Sequence, residues 1–164
     1  MLARLFRHAF APSPSRVFPA GSMQRIAAAV AAGEALHQGQ VCFAVEAALP
    51  LRALLAGMDA RGRALEVFAQ LRVWDTTGNN GVLVFLLLGE RRIEIVADRA
   101  CTGRISPEQW RGICQAMEER LQAGDPEAAA VQGVAAASAL LAQHFPRVEH
   151  APEANELPDL PHLF

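Results

Sequence analysis

The chain contains no lysine and no tyrosine: all 15 of its cations are arginines. That removes a lysine Schiff base, a P-loop lysine and a phenolic nucleophile from the chemistry open to it. The three cysteines, Cys42, Cys101 and Cys114, are odd in number and form no C-x-x-C pair, which argues against a disulfide framework and a thiolate zinc site. A reducing compartment is the simple reading. Among the five histidines, His8, His37, His144, His150 and His162, there is no i, i+4 pair and no metal spacing. There is no glycine-rich phosphate loop and no nucleophile elbow. A net charge of −2 supplies no basic field, so no nucleic-acid partner is expected. No apolar run approaches the roughly 20 residues of a bilayer span. The first ten residues lack the continuous apolar core and cleavage site of a signal peptide, so the arm is expected to stay on a cytoplasmic protein.

What is present is 164 residues at 52% hydrophobic and 20% charged, enough for one domain with a sizeable core. The chain is organised around Val82 to Leu88, seven apolar residues that follow Asn79-Asn80-Gly81 and stop at Gly89-Glu90. They read as a central strand buried on both faces. Before it, residues 40–46 alternate as a strand, and residues 51–71 have helical spacing broken between Gly57 and Gly62. A crossover of that length lets the two strands lie parallel. After it, Gly89-Glu90 predicts a hairpin to a third strand over 92–97.

Leu2, Leu5, Phe6 and Phe10 are expected on one face of a short helix, with Arg4 and Arg7 elsewhere around it. This is either a docked or frayed arm, or a weak peripheral contact with an anionic membrane through residues 1–10. Pro12 to Ser15 reads as a linker, and Ser22 as the cap of a helix over residues 23–37. Ser106-Pro107-Glu108 starts another helix, with Trp110, Ile113, Cys114, Met117 and Leu121 as its buried stripe. Gly124 stops it, and Asp125-Pro126-Glu127 starts one more, in which Gly133 and Ala137 permit close packing. From Pro146 onward the composition reads as an extended acidic tail, whose Leu157, Leu160, Leu163 and Phe164 suit an arm laid over the domain or a partner. The organisation is thus an arm and linker over 1–17, a domain over 18–145 and a tail over 146–164.

The chemistry concentrates in one loop. Asp75, Thr76, Thr77, Asn79 and Asn80 offer hard oxygen donors, and Asp98 leaves the end of the adjacent third strand, a donor set suited to calcium but without EF-hand spacing. The plainer reading is that Asp75 and Thr76 turn the chain while Asn79 and Asn80 adopt left-handed conformations before Gly81. A phosphatase would place metal on Asp75 or Asp98 and phosphate on Arg99 or Arg104. Cys101 is too near Arg104 for a cysteine-phosphatase loop, and Asp75-Thr76-Thr77 lacks a second aspartate. The ordinary role for Arg99 is pairing with Asp98 or Glu94. Cys101 is a reactive thiol if exposed and an inert one if buried, the second being the stronger expectation.

Trp74-Asp75-Thr76, Asn79-Asn80-Gly81-Val82-Leu83, Leu86-Leu87-Leu88, Ile93 to Arg99, the Trp110 helix and the tail motif Asn155-Glu156-Leu157-Pro158-Asp159 follow one another in order. Together they resemble the TPM domain family over roughly residues 18–163, in its short bacterial form. The resemblance implies an α/β fold, a small mixed sheet of three or four strands, including a hairpin, flanked by helices. Longer relatives include a thylakoid-lumen protein described as an acid phosphatase, calcium-binding members and factors linked to membrane complexes. Ala97-Asp98-Arg99-Ala100 stands where the longer members carry Gly-Tyr-Gly, and Gln40 where an acid is common. Since one fold hosts many functions, the resemblance leaves several readings. The first is a binding or adaptor module with a protein partner, holding calcium or another divalent cation at Asp75, Asn79, Asn80 and Asp98. The alternative is a metal-assisted acid phosphatase with Asp75 and Asp98 catalytic and Arg99 and Arg104 on phosphate, and the second alternative is a peripheral membrane accessory protein.

Overall fold

The computed structural model describes residues 2–148 and 155–164. Strand β2 (Gly81–Leu87) is buried at every position, as its apolar run requires, and so is β1 (Gln40–Glu46), including its polar ends Gln40 and Glu46. They pair in parallel, Gln40 opposite Gly81 through Glu46 opposite Leu87. Strand β3 (Arg92–Ala97) returns antiparallel to β2, and the expected hairpin is present with its positive φ, 50°, on Arg91. Leu88 lies in that turn and not in the strand. A fourth strand, β4 (His162–Leu163), lies parallel to β1 at its open edge, so the sheet order is β3-β2-β1-β4. The tail therefore folds back onto the sheet. Within it, residues 149–154 lie outside the described residues.

The helices are α1 (Leu2–Ala9), α2 (Pro14–Val17), α3 (Ala20–Glu34), α4 (Leu51–Leu55), α5 (Ala60–Gln70), α6 (Pro107–Gln122) and α7 (Pro126–His144). Alternation along the strands builds two cores. Val41, Phe43 and Val45 with Val82, Val84 and Leu86 pack against α3, α6 and α7, burying Ile26, Val30, Ile113, Met117 and Val134. Cys42 and Ala44 with Leu83, Phe85 and Leu87 pack against α4 and α5, burying Leu54, Ala64 and Val67, and Leu157 of the tail joins them. Ser106 caps α6 as expected, and with Gln109 it forms a reciprocal capping box, while Gly124 (φ 85°) ends the helix. A Cβ on Gly133 would fall 2.1 Å from Met117 Sδ, so α7 passes α6 at the close range its small residues permit.

Three local expectations need correction. Helix α3 begins at Ala20 with Pro19 at its cap, and ends at Glu34, not His37. Proline, which has no N–H to leave unpaired, opens the helix, while Ser22 is buried in the first turn and donates its hydroxyl to Glu127 Oε2 (2.5 Å). The 12–15 stretch is not a plain linker, because Pro14 starts the short α2. On α1, Leu5 turns inward with the buried His8, while Leu2, Phe6 and Phe10 stay in solvent. No helix among the described residues is long and apolar enough to cross a membrane.

Candidate functional site

The loop from α5 into β2 is shaped by Gly81, where a Cβ would lie 1.9 Å from the Val73 carbonyl oxygen. Only glycine lets β2 begin that close to the returning chain. Asn79 N–H donates to the Thr76 carbonyl (3.1 Å), and Asn80 N–H to Thr76 Oγ1 (3.2 Å). The left-handed residue is Asn79 (φ 50°), whereas Asn80 keeps a negative φ. Asn80 is buried and donates Nδ2 to the Gln38 carbonyl (3.0 Å), tying the loop to the entry of β1.

The sequence-nominated donors separate into groups. Asn79 Oδ1 accepts from Arg99 Nη2 (2.6 Å), and Asp98 Oδ1 accepts from Arg99 N–H (2.7 Å), so Asn79, Asp98 and Arg99 meet. The guanidinium of Arg99 thus goes to Asn79, not to Asp98 or Glu94. Asp98 Oδ2 is buried without a hydrogen-bond partner. Asp75 turns outward and accepts from Arg72 Nη2 (2.5 Å), apart from that group. Arg104 donates to the His144 carbonyl (3.3 Å) and stacks over the Phe145 ring, 4.8 Å from its centroid. Among the described residues no three His, Cys, Asp or Glu side chains are placed to hold a metal ion. Cys101 is buried and its thiol is pushed up to about 11, mainly by that burial and further by Asp98.

Sequence reasoning missed the neighbouring cleft of about 410 Å³, enclosed by the end of α3, the 77–80 loop and the tail. Glu34, Glu156 and Asp159 all line it, with Gln40, Asn80 and Arg147. Burial raises the Glu34 carboxyl to about 7, against the Val41 N–H bond to its Oε1 (2.7 Å), and nearby Asp159 adds to the rise. His37, buried with Nδ1 3.0 Å from the Gly39 carbonyl, is lowered to about 4 by the same desolvation, and its Nε2 has no partner. Gln40 Oε1 accepts from both Glu156 N–H (2.8 Å) and Leu157 N–H (3.1 Å), and Glu156 Oε2 accepts from Thr77 N–H (2.7 Å). An acid at the C-terminal end of a helix opposes the macrodipole, so Glu34 was the signal available in the sequence.

Two parallel buried strands, with polar loops and a returning tail collected at their N-terminal ends, define a small α/β domain with a ligand-sized cleft. The chain belongs to the TPM domain family, whose profile matches residues 14–140. Its fold is also similar to the NMR structure of the BA42 protein from the psychrophilic bacterium Bizionia argentinensis, with a TM-score of 0.74 and 22% identity over 88% of this chain and 94% of that one. No curated protein matches the sequence.

Proposed function

We propose that this TPM domain is a binding module that accepts a cationic group of a protein partner in the cleft beside the Asn79-Asn80-Gly81 loop. The observation that carries the reading is the convergence of Glu34, Glu156 and Asp159, from two separate parts of the chain, on one cleft. Carboxylates against low-dielectric walls concentrate field and favour a cation. Glu34, raised to about 7, is only partly ionised near neutral pH, and Arg147, whose Nη1 donates to the Glu34 carbonyl (3.2 Å), adds one positive charge, so Glu156 and Asp159 keep the cleft acidic. Gln40 and Asn80 hold the tail and the loop in place around it.

The test is an NMR titration of the full chain with an arginine-rich peptide and with an acidic peptide of equal length. Shifts around Glu34, Thr77 and Asp159 with the basic peptide alone, weakened about tenfold by Asp159→Asn, are expected. Equal responses to both peptides, or none, would overturn the reading.

A second reading, a calcium or other divalent cation at Asp98 and Asn79, is favoured by the partnerless buried Oδ2 of Asp98. Hard oxygens of this kind fit such an ion, provided Arg99 leaves Asn79. Asp75 joins the set only by leaving Arg72. Calorimetric calcium binding abolished by Asp98→Asn supports it, and absence of heat in the wild-type protein sinks it. The phosphatase alternative asks more, since it needs Asp75 and Asp98 on one ion and Arg99 and Arg104 released from Asn79 and His144.

A further inference from the structure

We propose that the end of the molecule opposite the cleft docks on an anionic lipid surface. The cleft lies where β1 and β2 begin, while α1 packs where they end. Leu49 N–H donates to His8 Nδ1 (3.1 Å), and His8 Nε2 lies 3.0 Å from Glu90 Oε1. Arg4 Nε donates to the same Glu90 oxygen (2.6 Å), and its Nη2 donates to the Met58 carbonyl (2.5 Å). The arm is thus held to the domain by its polar side, with Leu5 alone supplying apolar contact. Its phenyl groups point away.

Leu2, Phe6 and Phe10, four residues apart, form an outward stripe, exposed by 84%, 66% and 71%. The Phe6 and Phe10 rings touch each other, with centroids 4.4 Å apart. Two residues beyond Leu49, α4 adds exposed Leu51 and Leu55, also on one helical face. Phe164, bonded through its backbone to Val45 and Ala47, brings a further half-exposed ring to this end. Six large exposed apolar side chains therefore gather at this end of the domain, whereas Leu36, Leu65, Trp74, Val148 and Leu160 are exposed singly elsewhere.

The charges there select the occupant. Arg7, Arg52 and Arg91 are exposed and form no ion pair among the described residues. The acids of this end are already engaged: Glu90 is held by Arg4 and His8, Glu46 at the end of β1 is held by Arg63, and Asp59 caps α5. An apolar stripe bordered by unpaired arginines is complementary to a bilayer whose acyl boundary takes the rings and whose phosphates take the guanidinium forks. A single short helix binds weakly, so the docking is reversible and depends on both terms.

Flotation of the full chain with extruded vesicles of phosphatidylcholine alone, and with about 30% phosphatidylglycerol, tests this. Flotation only with the anionic vesicles is expected. It should fall at least tenfold in the Phe6→Ser/Phe10→Ser double variant and severalfold in Arg7→Glu. All three positions are exposed, and circular dichroism melts confirm that the variants fold. No flotation at about 1 mM anionic lipid, or equal flotation with both vesicle types, overturns the proposal. So does a concentration-dependent dimer abolished by the double variant without lipid binding, which would assign the stripe to a second copy of the chain.

Discussion

Glu34 and His37 are three residues apart, and desolvation acts on both against the charged form, with opposite consequences for stability. The Glu34 carboxyl, raised to about 7, lies above its ordinary 4.5. The unfolded chain therefore ionises first, and stability declines as pH rises from 4.5 through 7. His37, lowered to about 4 from 6.5, stays neutral where the unfolded chain takes a proton, so stability declines as pH falls from 6.5 through 4. Between roughly pH 4.5 and 6.5 the two slopes oppose each other and largely cancel. Glu34→Gln should unmask the histidine: relative to wild type, the variant gains about 1–2 kcal/mol between acid and neutral pH, less than full burial would give because the cleft admits water. His37→Gln should show the reverse difference, growing as pH falls. Urea denaturation of the three proteins across this range measures both, and pH-independent differences would show that neither group is desolvated. Burial acts on the thiols as well, with Cys42 pushed up to about 12 and Cys114 to about 11. A disulfide reagent at neutral pH should therefore modify the buried Cys42 and Cys101 only as fast as the fold opens, and rapid labelling of either would contradict this, whereas the partly exposed Cys114 is limited by its scarce thiolate alone.

At the scale of elements, two glycines separate a backbone requirement from a vacancy. Gly112, inside α6, has nothing within 4 Å of a would-be Cβ, whereas at Gly81 that atom falls 1.9 Å from a backbone oxygen. Gly112→Ala should stabilise the protein by about 0.5–1 kcal/mol, while Gly81→Ala should cost about 3 kcal/mol or more, as thermal or urea melts would read. The same contrast explains which elements were legible in the sequence. The β2 run, the Ser106 cap, the Gly124 stop and the hairpin announce themselves within a few residues, because period, cap and turn are local properties. Pro19 displaced Ser22 as the opening of α3 because Ser22 found a carboxylate on α7, more than a hundred residues away. Leu5 turned inward where a helical wheel grouped it with Phe6, because what α1 buries was set by Glu90 and Leu49. The site was half legible: the loop motif was found, but its donors divide among Arg72, Arg99 and Gln38, partners that no spacing rule names.

Across the whole molecule, the tail is what makes a cleft of the loop, and its attachment is thin. β4 meets β1 through two register pairs, Ala44 with His162 and Val45 with Leu163, whereas β1 and β2 pair along their full length. Gln40 adds an acceptor shared by two tail amides, and Leu157 adds a buried side chain. Replacing Gln40 with alanine leaves both amides without their acceptor, at about 1–3 kcal/mol. Among the described residues the other bonds from residues 155–164 to the domain are Thr77 N–H to Glu156 and the backbone pair of Phe164 with Val45 and Ala47, so that loss should fall on the tail and not on the domain. Hydrogen exchange reads the difference: in Gln40→Ala the amides of Leu157 and Phe164 should lose protection about tenfold or more, while Val84 and Ile95 keep theirs. The cleft would open at the same time, since Glu156 and Asp159 travel with the tail, and rehydrated Glu34 would titrate closer to an ordinary carboxyl. A uniform loss of protection across β1, β2 and β4 would instead show that tail and sheet unfold as one unit. In that case the cleft would be a permanent feature of the domain, and ligand exchange would have to proceed without tail release.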